Sequence, residues 1–222
     1  MASKTRTERR QDALSKERVV EAAIEILDED GEAALTFRSL ATRLATGSGA
    51  IYWHVTDKDD LLAAATDDVI VRVMSGMRKG AKPQDGIRLL ALGLFDAIEA
   101  HPWVGGHLSR NPWQYAVLRI LEGIGGQVEA LGVPTHAQFH AVSALMSFIL
   151  GLAAQYSASA RQFTSETDRT EFLQGVADRR AQFDTAEHPF VRRIATQLPR
   201  HDERKQFLAG IDLILIGIEN TR

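Results

Sequence analysis

Apolar residues recur at helical spacing along nearly the whole chain, and no stretch alternates with a period of two, so the pattern predicts an all-α protein. Ser15 is placed to cap a first helix that runs to about Asp30; Val20, Ala23, Ile24 and Leu27 share its inner face, and Gly31 stops it. Thr36 is placed to cap a second helix with Leu40, Ala41 and Leu44 inward. The turn Ala45-Thr46-Gly47 leads to a third helix, from about Ser48 to His54. Asp57 caps a longer fourth helix through Leu61, Leu62, Ala65, Val69 and Val73 to about Lys79, and Lys82 to Gly86 reads as a break.

Beyond that break, Ile87 to Ala100 is apolar nearly all round, as a buried core helix is. His101-Pro102 ends it, and an irregular stretch is expected to Arg110. Pro112 opens a helix to Leu131, and Thr135 caps a long apolar one to about Ala160. Arg161 to Pro199 is polar and mixed, with one or two short helices expected. Glu203 to Glu219 closes the pattern with Phe207, Ile211, Leu213, Ile214, Leu215 and Ile218. The division that follows is a polar, basic-biased tail at 1–14, a three-helix domain at 15–61 and a larger helical domain at 62–222.

Composition narrows the chemistry. The chain has 222 residues and no cysteine, which excludes disulfides and thiolate sites. No apolar run approaches the roughly 18 residues of a membrane span, and MASKTRTERR lacks a signal-peptide core, so a cytoplasmic protein without a membrane partner is expected. The net charge of −3 disfavours a nucleic-acid binder, but the charges are unevenly spread. The acids Glu21, Glu25, Asp28, Glu29, Asp30 and Glu32 cluster in and just after the first helix, whereas Arg38 and Arg43 are the only charged residues between Ala33 and Thr56. Both arginines are therefore expected to make the face after the first helix locally positive.

Thr36 to Lys58, TFRSLATRLATGSGAIYWHVTDK, has the parts of a helix-turn-helix. Leu40, Ala41, Leu44 and Ile51 supply an inner face, and Ala45 and Gly47 permit the turn. Thr36, Arg38, Thr46, Ser48, Tyr52, His54 and Lys58 offer donors for phosphates and base edges. The same pattern also suits a solvated surface loop of a helical bundle.

LTFRSLATRL and AIYWHVTDKDDLL resemble the N-terminal domain of the TetR family, and YWHV with Lys58 resembles the tetracycline-repressor type in particular. FHAVSALMSFILGLA (139–153) and FLAGIDLILIGIE (207–219) are similar to the dimerising helices of that type. The resemblance implies a homodimeric regulator, usually a repressor, of double-stranded operator DNA. It implies that Arg38 reads guanine, that Ser48, Gly49 and Ala50 lie at the base-reading start of the third helix, that Tyr52 and His54 meet phosphates, and that Lys58 is an anchor. Trp53 is included in this tip, read as a packing residue with a polar edge. Ser48, Gly49 and Ala50 replace larger or stiffer residues of the tetracycline repressor, which implies a different operator sequence.

By the same resemblance two helices of each subunit, 135–160 and 203–219, form a four-helix dimer interface; on the residues alone, both also fit wholly inside one subunit. An effector pocket is expected among the fourth to eighth helices, lined by Met74, Leu90, Leu94, Trp103, His107, Trp113, Leu118, Met146 and Ile149. Met74 and Leu90 stand where tetracycline with magnesium would need a histidine and an asparagine, so a more apolar small molecule and no metal or cofactor are expected. His136 and His140 are spaced for a metal but lack a third ligand. Two competing functions are a DNA-binding protein without an effector and an enzyme on a helical bundle. The second would use His101 and His107 with Asp96 or Glu99, but no activated nucleophile accompanies them.

Overall fold

Small polar residues start the helices of the N-terminal head. The computed structural model describes residues 14–76, 82–159, 166–182, 187–195 and 202–221; residues 1–13 of the expected tail at 1–14 lie outside them. Helix α1 (Lys16–Asp30) is capped by Ser15, whose hydroxyl accepts from the Arg18 amide at 3.3 Å. Helix α2 (Phe37–Arg43) starts with a capping box: the Thr36 hydroxyl accepts from the Ser39 amide and the Ser39 hydroxyl from the Thr36 amide, each at 3.0 Å. Helix α3 (Ser48–Ile51) is followed by helix α4 (Lys58–Ser75), capped by Asp57 accepting from the Asp60 amide at 2.8 Å. Each cap is worth about 1 kcal/mol.

The turn between α2 and α3 is a Schellman motif. The Ala45 amide donates to the Thr42 carbonyl at 3.3 Å and the Thr46 amide to the Ala41 carbonyl at 3.0 Å. Its left-handed position, φ 50°, is taken by Ala45, while Gly47 is extended. Ala45 therefore accepts a strain of about 1–2 kcal/mol that a glycine there would avoid.

The body contains α5 (Pro83–Ala100), α6 (Pro102–Arg110), α7 (Tyr115–Ala130), α8 (Thr135–Ser159), α9 (Glu166–Ala181), α10 (Pro189–Ala195) and α11 (Glu203–Glu219). Four boundaries differ from the sequence reading. Helix α3 ends at Ile51, and Tyr52 to His54 are a turn. Pro83 to Gly86, read as a break, is the first turn of α5. Pro102 to Arg110, read as irregular, is helical, and α7 starts at Tyr115 rather than Pro112. The two proline errors share one cause: proline stops a helix before it but suits the first position of the next, where its missing N–H costs nothing. Helix α4 is described to Ser75, and its expected continuation to Lys79 falls in residues outside the description.

Most of the buried side chains form one contiguous core. In the head it holds Val19, Ala23, Leu35, Leu40, Ile51 and Val55; in the body it holds Leu90, Leu94, Ile120, Leu145 and Ile211. Helix α4 runs uninterrupted from one to the other. Helix α6 packs on α8, α7 on α4 and α8, and α5 against α7, α8 and α11. Phe207 of α11 lies against Phe95 (5.2 Å between centroids) and Phe148 (5.6 Å). Arg88 to Asp212 at 2.7 Å and Arg204 to Asp96 at 2.9 Å hold α11 along α5. At Gly210 an added Cβ would fall within the Phe148 ring, so glycine there permits the close approach of α11 to α8.

Candidate nucleic-acid interface and effector body

The helix-turn-helix presents a narrow tip. Ser48 and Gly49 are exposed at the start of α3, with Ala50 half-buried beside them. Tyr52 stacks face to face on Phe37, with centroids 4.3 Å apart and planes within 6°, which holds its half-exposed ring in one orientation. Arg38 projects from the exposed side of α2, and its guanidinium has no partner among the described residues. His54 and Thr46 are half-buried, and the Thr36 hydroxyl is engaged in its capping box.

Three expectations change here. Trp53, read as a packing residue, is 89% exposed, because α3 ends before it and the turn aims the indole outward. Arg43, read as a second cation on the DNA-facing side, instead turns back onto α1, binding Glu25 at 3.1 Å and Glu29. The Arg43 guanidinium in turn holds the Glu29 carboxyl below its ordinary range. Lys58 donates from Nζ to the Glu32 carbonyl at 2.6 Å, which ties the start of α4 to the loop after α1.

The effector-lining candidates divide into three groups. Leu90, Leu94, Met146 and Ile149 are buried, and half-buried Met74 and Leu90 both lie against Gly123, where an added Cβ would be 2.6 Å from Met74 Cε and 3.3 Å from Leu90 Cδ2. Gly123 thus belongs to this group, although helical periodicity gave no reason to single it out. Trp113, 84% exposed, and Leu118 lie on the surface instead. Trp103 stands at the junction with the head, where its indole Nε1 donates to Asp28 at 2.7 Å.

His107 is buried, and Gln114, also buried, donates from Nε2 to the His107 carbonyl at 3.2 Å. Burial pushes the imidazole below its ordinary range, Arg110 adds to the depression, and Glu32 and Asp59 oppose it. The folded chain therefore takes up this proton less readily than the unfolded one. Stability from this site is complete above the unfolded value near 6.5 and is lost as pH falls toward the lower folded one. We expect thermal unfolding scans at pH 7.5 and 5.5 to differ more for the native protein than for His107→Gln. Equal differences would remove His107 from the acid sensitivity.

The imagined acid–base constellation is dispersed. His101 Nδ1 lies 2.8 Å from Asp28, and Asp96 is paired with Arg204. His136 and His140 are exposed, and no three His, Asp or Glu side chains come together as a metal site among the described residues. No helix among them is long and apolar enough to cross a membrane. The junction contact at Asp28 was not legible in the sequence, since its members stand 73 and 75 residues apart.

A capped helix-turn-helix carried on a long helix into an all-helical body defines a DNA-binding transcriptional regulator. The family model described as bacterial regulatory proteins, tetR family, matches residues 19–65, and that described as tetracyclin repressor-like, C-terminal domain, matches residues 80–222. The chain belongs to the TetR family; its members are regulators of transcription, not enzymes. An HTH-type transcriptional regulator of Saccharopolyspora erythraea is 36% identical over 99 residues, 45% of this chain and 42% of that protein, so the match spans less than half of the relative. The class D tetracycline repressor protein of Escherichia coli is 26% identical over 209 residues, 93% of this chain and 89% of its own. Among solved structures, the transcriptional regulator SCO7222, a TetR from Streptomyces coelicolor, is 48% identical with a TM-score of 0.85, over 94% of this chain and 99% of that one. ActR from the same organism, in complex with actinorhodin, shares the fold at 22% identity and a TM-score of 0.76, over 92% and 95%.

Proposed function

We propose that the protein is a cytoplasmic homodimeric repressor, released from its operator when a small, largely apolar molecule enters the body. The observation that carries the reading is the pairing of an exposed reading tip with unpartnered apolar residues on α11: Leu213 is 71% and Ile216 57% exposed. A second copy covering that face would set two tips toward two half-sites, about 34–36 Å apart. Thr36, Arg38, Thr46, Ser48, Gly49, Ala50, Tyr52, Trp53, His54 and Lys58 form the DNA-facing set, with Arg38 as base reader and Trp53 as an apolar contact.

Met74, Leu90, Leu94, His107, Met146 and Ile149 are the residues this reading assigns to the effector. Their apolar character, with one neutral imidazole, favours an uncharged ligand over a metal chelate. The actinorhodin complex of ActR supports a ligand-responsive body, and the name of the class D relative supports repression. Helix α4 is the lever, since it joins the tip at Lys58 to Met74. To act, the ligand must bind the DNA-incompetent arrangement more tightly than the competent one.

Arg38 supplies the test. Selecting duplexes from a random library should yield a two-fold-related site, and Arg38→Ala should weaken binding to it by about 1–3 kcal/mol while relaxing one base in each half. Equal weakening on all sequences would reduce Arg38 to a phosphate contact and remove base reading from this residue.

A further inference from the structure

We propose that Asp28 is the positioning residue that fixes the pitch of the DNA-reading head on the body, and so sets which half-site spacing the protein accepts. The inference rests on the homodimer reading above. Helix α4 passes unbroken between head and body, and by itself it would attach the head along a single line. A body held along one line can still tilt about it until a second, off-axis contact fixes it.

Asp28, in the last turn of α1, makes that contact. Its carboxylate accepts from Trp103 Nε1 at 2.7 Å and lies 2.8 Å from His101 Nδ1. His101 and Trp103 flank Pro102, the corner where α5 ends and α6 begins, so both partners project from a stiff turn. At the other end of α6, Arg110 pairs with Glu32 at 2.7 Å and holds the Glu32 carboxyl below its ordinary range. Both ends of α6 are thereby fastened to one end of α1. Arg43, bound to Glu25 and Glu29, passes the position of α1 on to α2.

The junction is built to be set rather than welded. Between the two fastenings lies a cleft of about 240 Å³, bordered by Leu27 and Gly31 from the head and by Pro102 and Gly106 from the body. The polar fastenings around it are partly exposed, so no single one is strong. Helix α1, at 1.5 Å per residue, is about 22 Å long. A tilt of roughly 5° over that length displaces its far end by about 2 Å, so two heads tilting oppositely change their separation by about one base step of 3.4 Å.

The experiment uses the full-length protein and the site recovered from a random duplex library, with the spacer then changed in single-base-pair steps. We expect the native protein to prefer one spacing over its neighbours by about tenfold or more. Asp28→Ala, and separately Trp103→Phe, which keeps an aromatic ring but removes the N–H, should each narrow that preference to about threefold or less with half-site base preferences intact. Asp28→Asn, which retains an acceptor for Trp103, should keep most of the discrimination. The double variant should be no worse than Asp28→Ala alone, because Asp28→Ala already removes the bond lost in Trp103→Phe, together with the contact to His101. An unchanged spacing profile in Asp28→Ala and Trp103→Phe would overturn the assignment, as would a parallel loss of base preference. Sedimentation separates the two failures: a native dimer with insensitive variants sinks the Asp28 role alone, whereas a native monomer sinks the dimer reading and this one with it.

Discussion

Leu213→Asp combined with Ile216→Asp is expected to turn a dimer into folded single subunits. Helix α11 has two faces. Phe207, Ile211, Leu215 and Ile218 are buried in the subunit's own core, whereas Leu213 and Ile216 stand one turn apart on the outer side. A deletion of α11 would remove both faces and would not separate folding from association. The paired substitution removes only the outer one. Charges there cost the single subunit little, since both positions are already in water, but a closed apolar interface would have to desolvate two aspartates per subunit. Sedimentation should show half the native mass, with helix content and melting of the diluted protein close to native. DNA affinity should fall by about 10²–10⁴, because the second head no longer binds as part of one molecule. A variant that sediments like the native protein would place the interface elsewhere.

The second large effect is expected from Leu40→Ala. Leu40 is fully buried in the head, in the same core as Val19, Ala23, Leu35, Ile51 and Val55. It is the buried residue of a helix of only two turns. Truncation should cost about 2–5 kcal/mol. For a chain of this size each kcal/mol lowers the melting temperature by about 2–4 °C. The loss should fall on the head: DNA binding weakens on every sequence, while sedimentation still reports the native assembly. Loss of assembly along with DNA binding would show that head and body unfold as one unit.

The sequence carried the capped helices of the head. Ser15, Thr36 and Asp57 each cap the helix that follows, and Leu40, Leu44 and Ile51 turn inward or partly so, because caps and helical faces depend on neighbours within four residues. The prolines misled for a related reason: at Pro83 and Pro102 the local signal is two-sided, and only packing shows that a helix starts there. In the body, the expected pocket residues separated in space: Trp113 and Leu118 lie outside and Trp103 at the junction, whereas Leu90, Leu94, Met146 and Ile149 lie inside.

By itself, then, the chain's order of residues determined an all-helical protein with a helix-turn-helix at its front, since hydrogen bonds within a helix and its cap are settled over a few residues. Only the tertiary structure decided that Arg43 faces α1 rather than the open side, that Trp53 stands in water, and that Asp28 holds Trp103. Those outcomes depend on which distant side chains meet when helices pack, and a charge or a ring reveals its partner only once the chain has closed on itself.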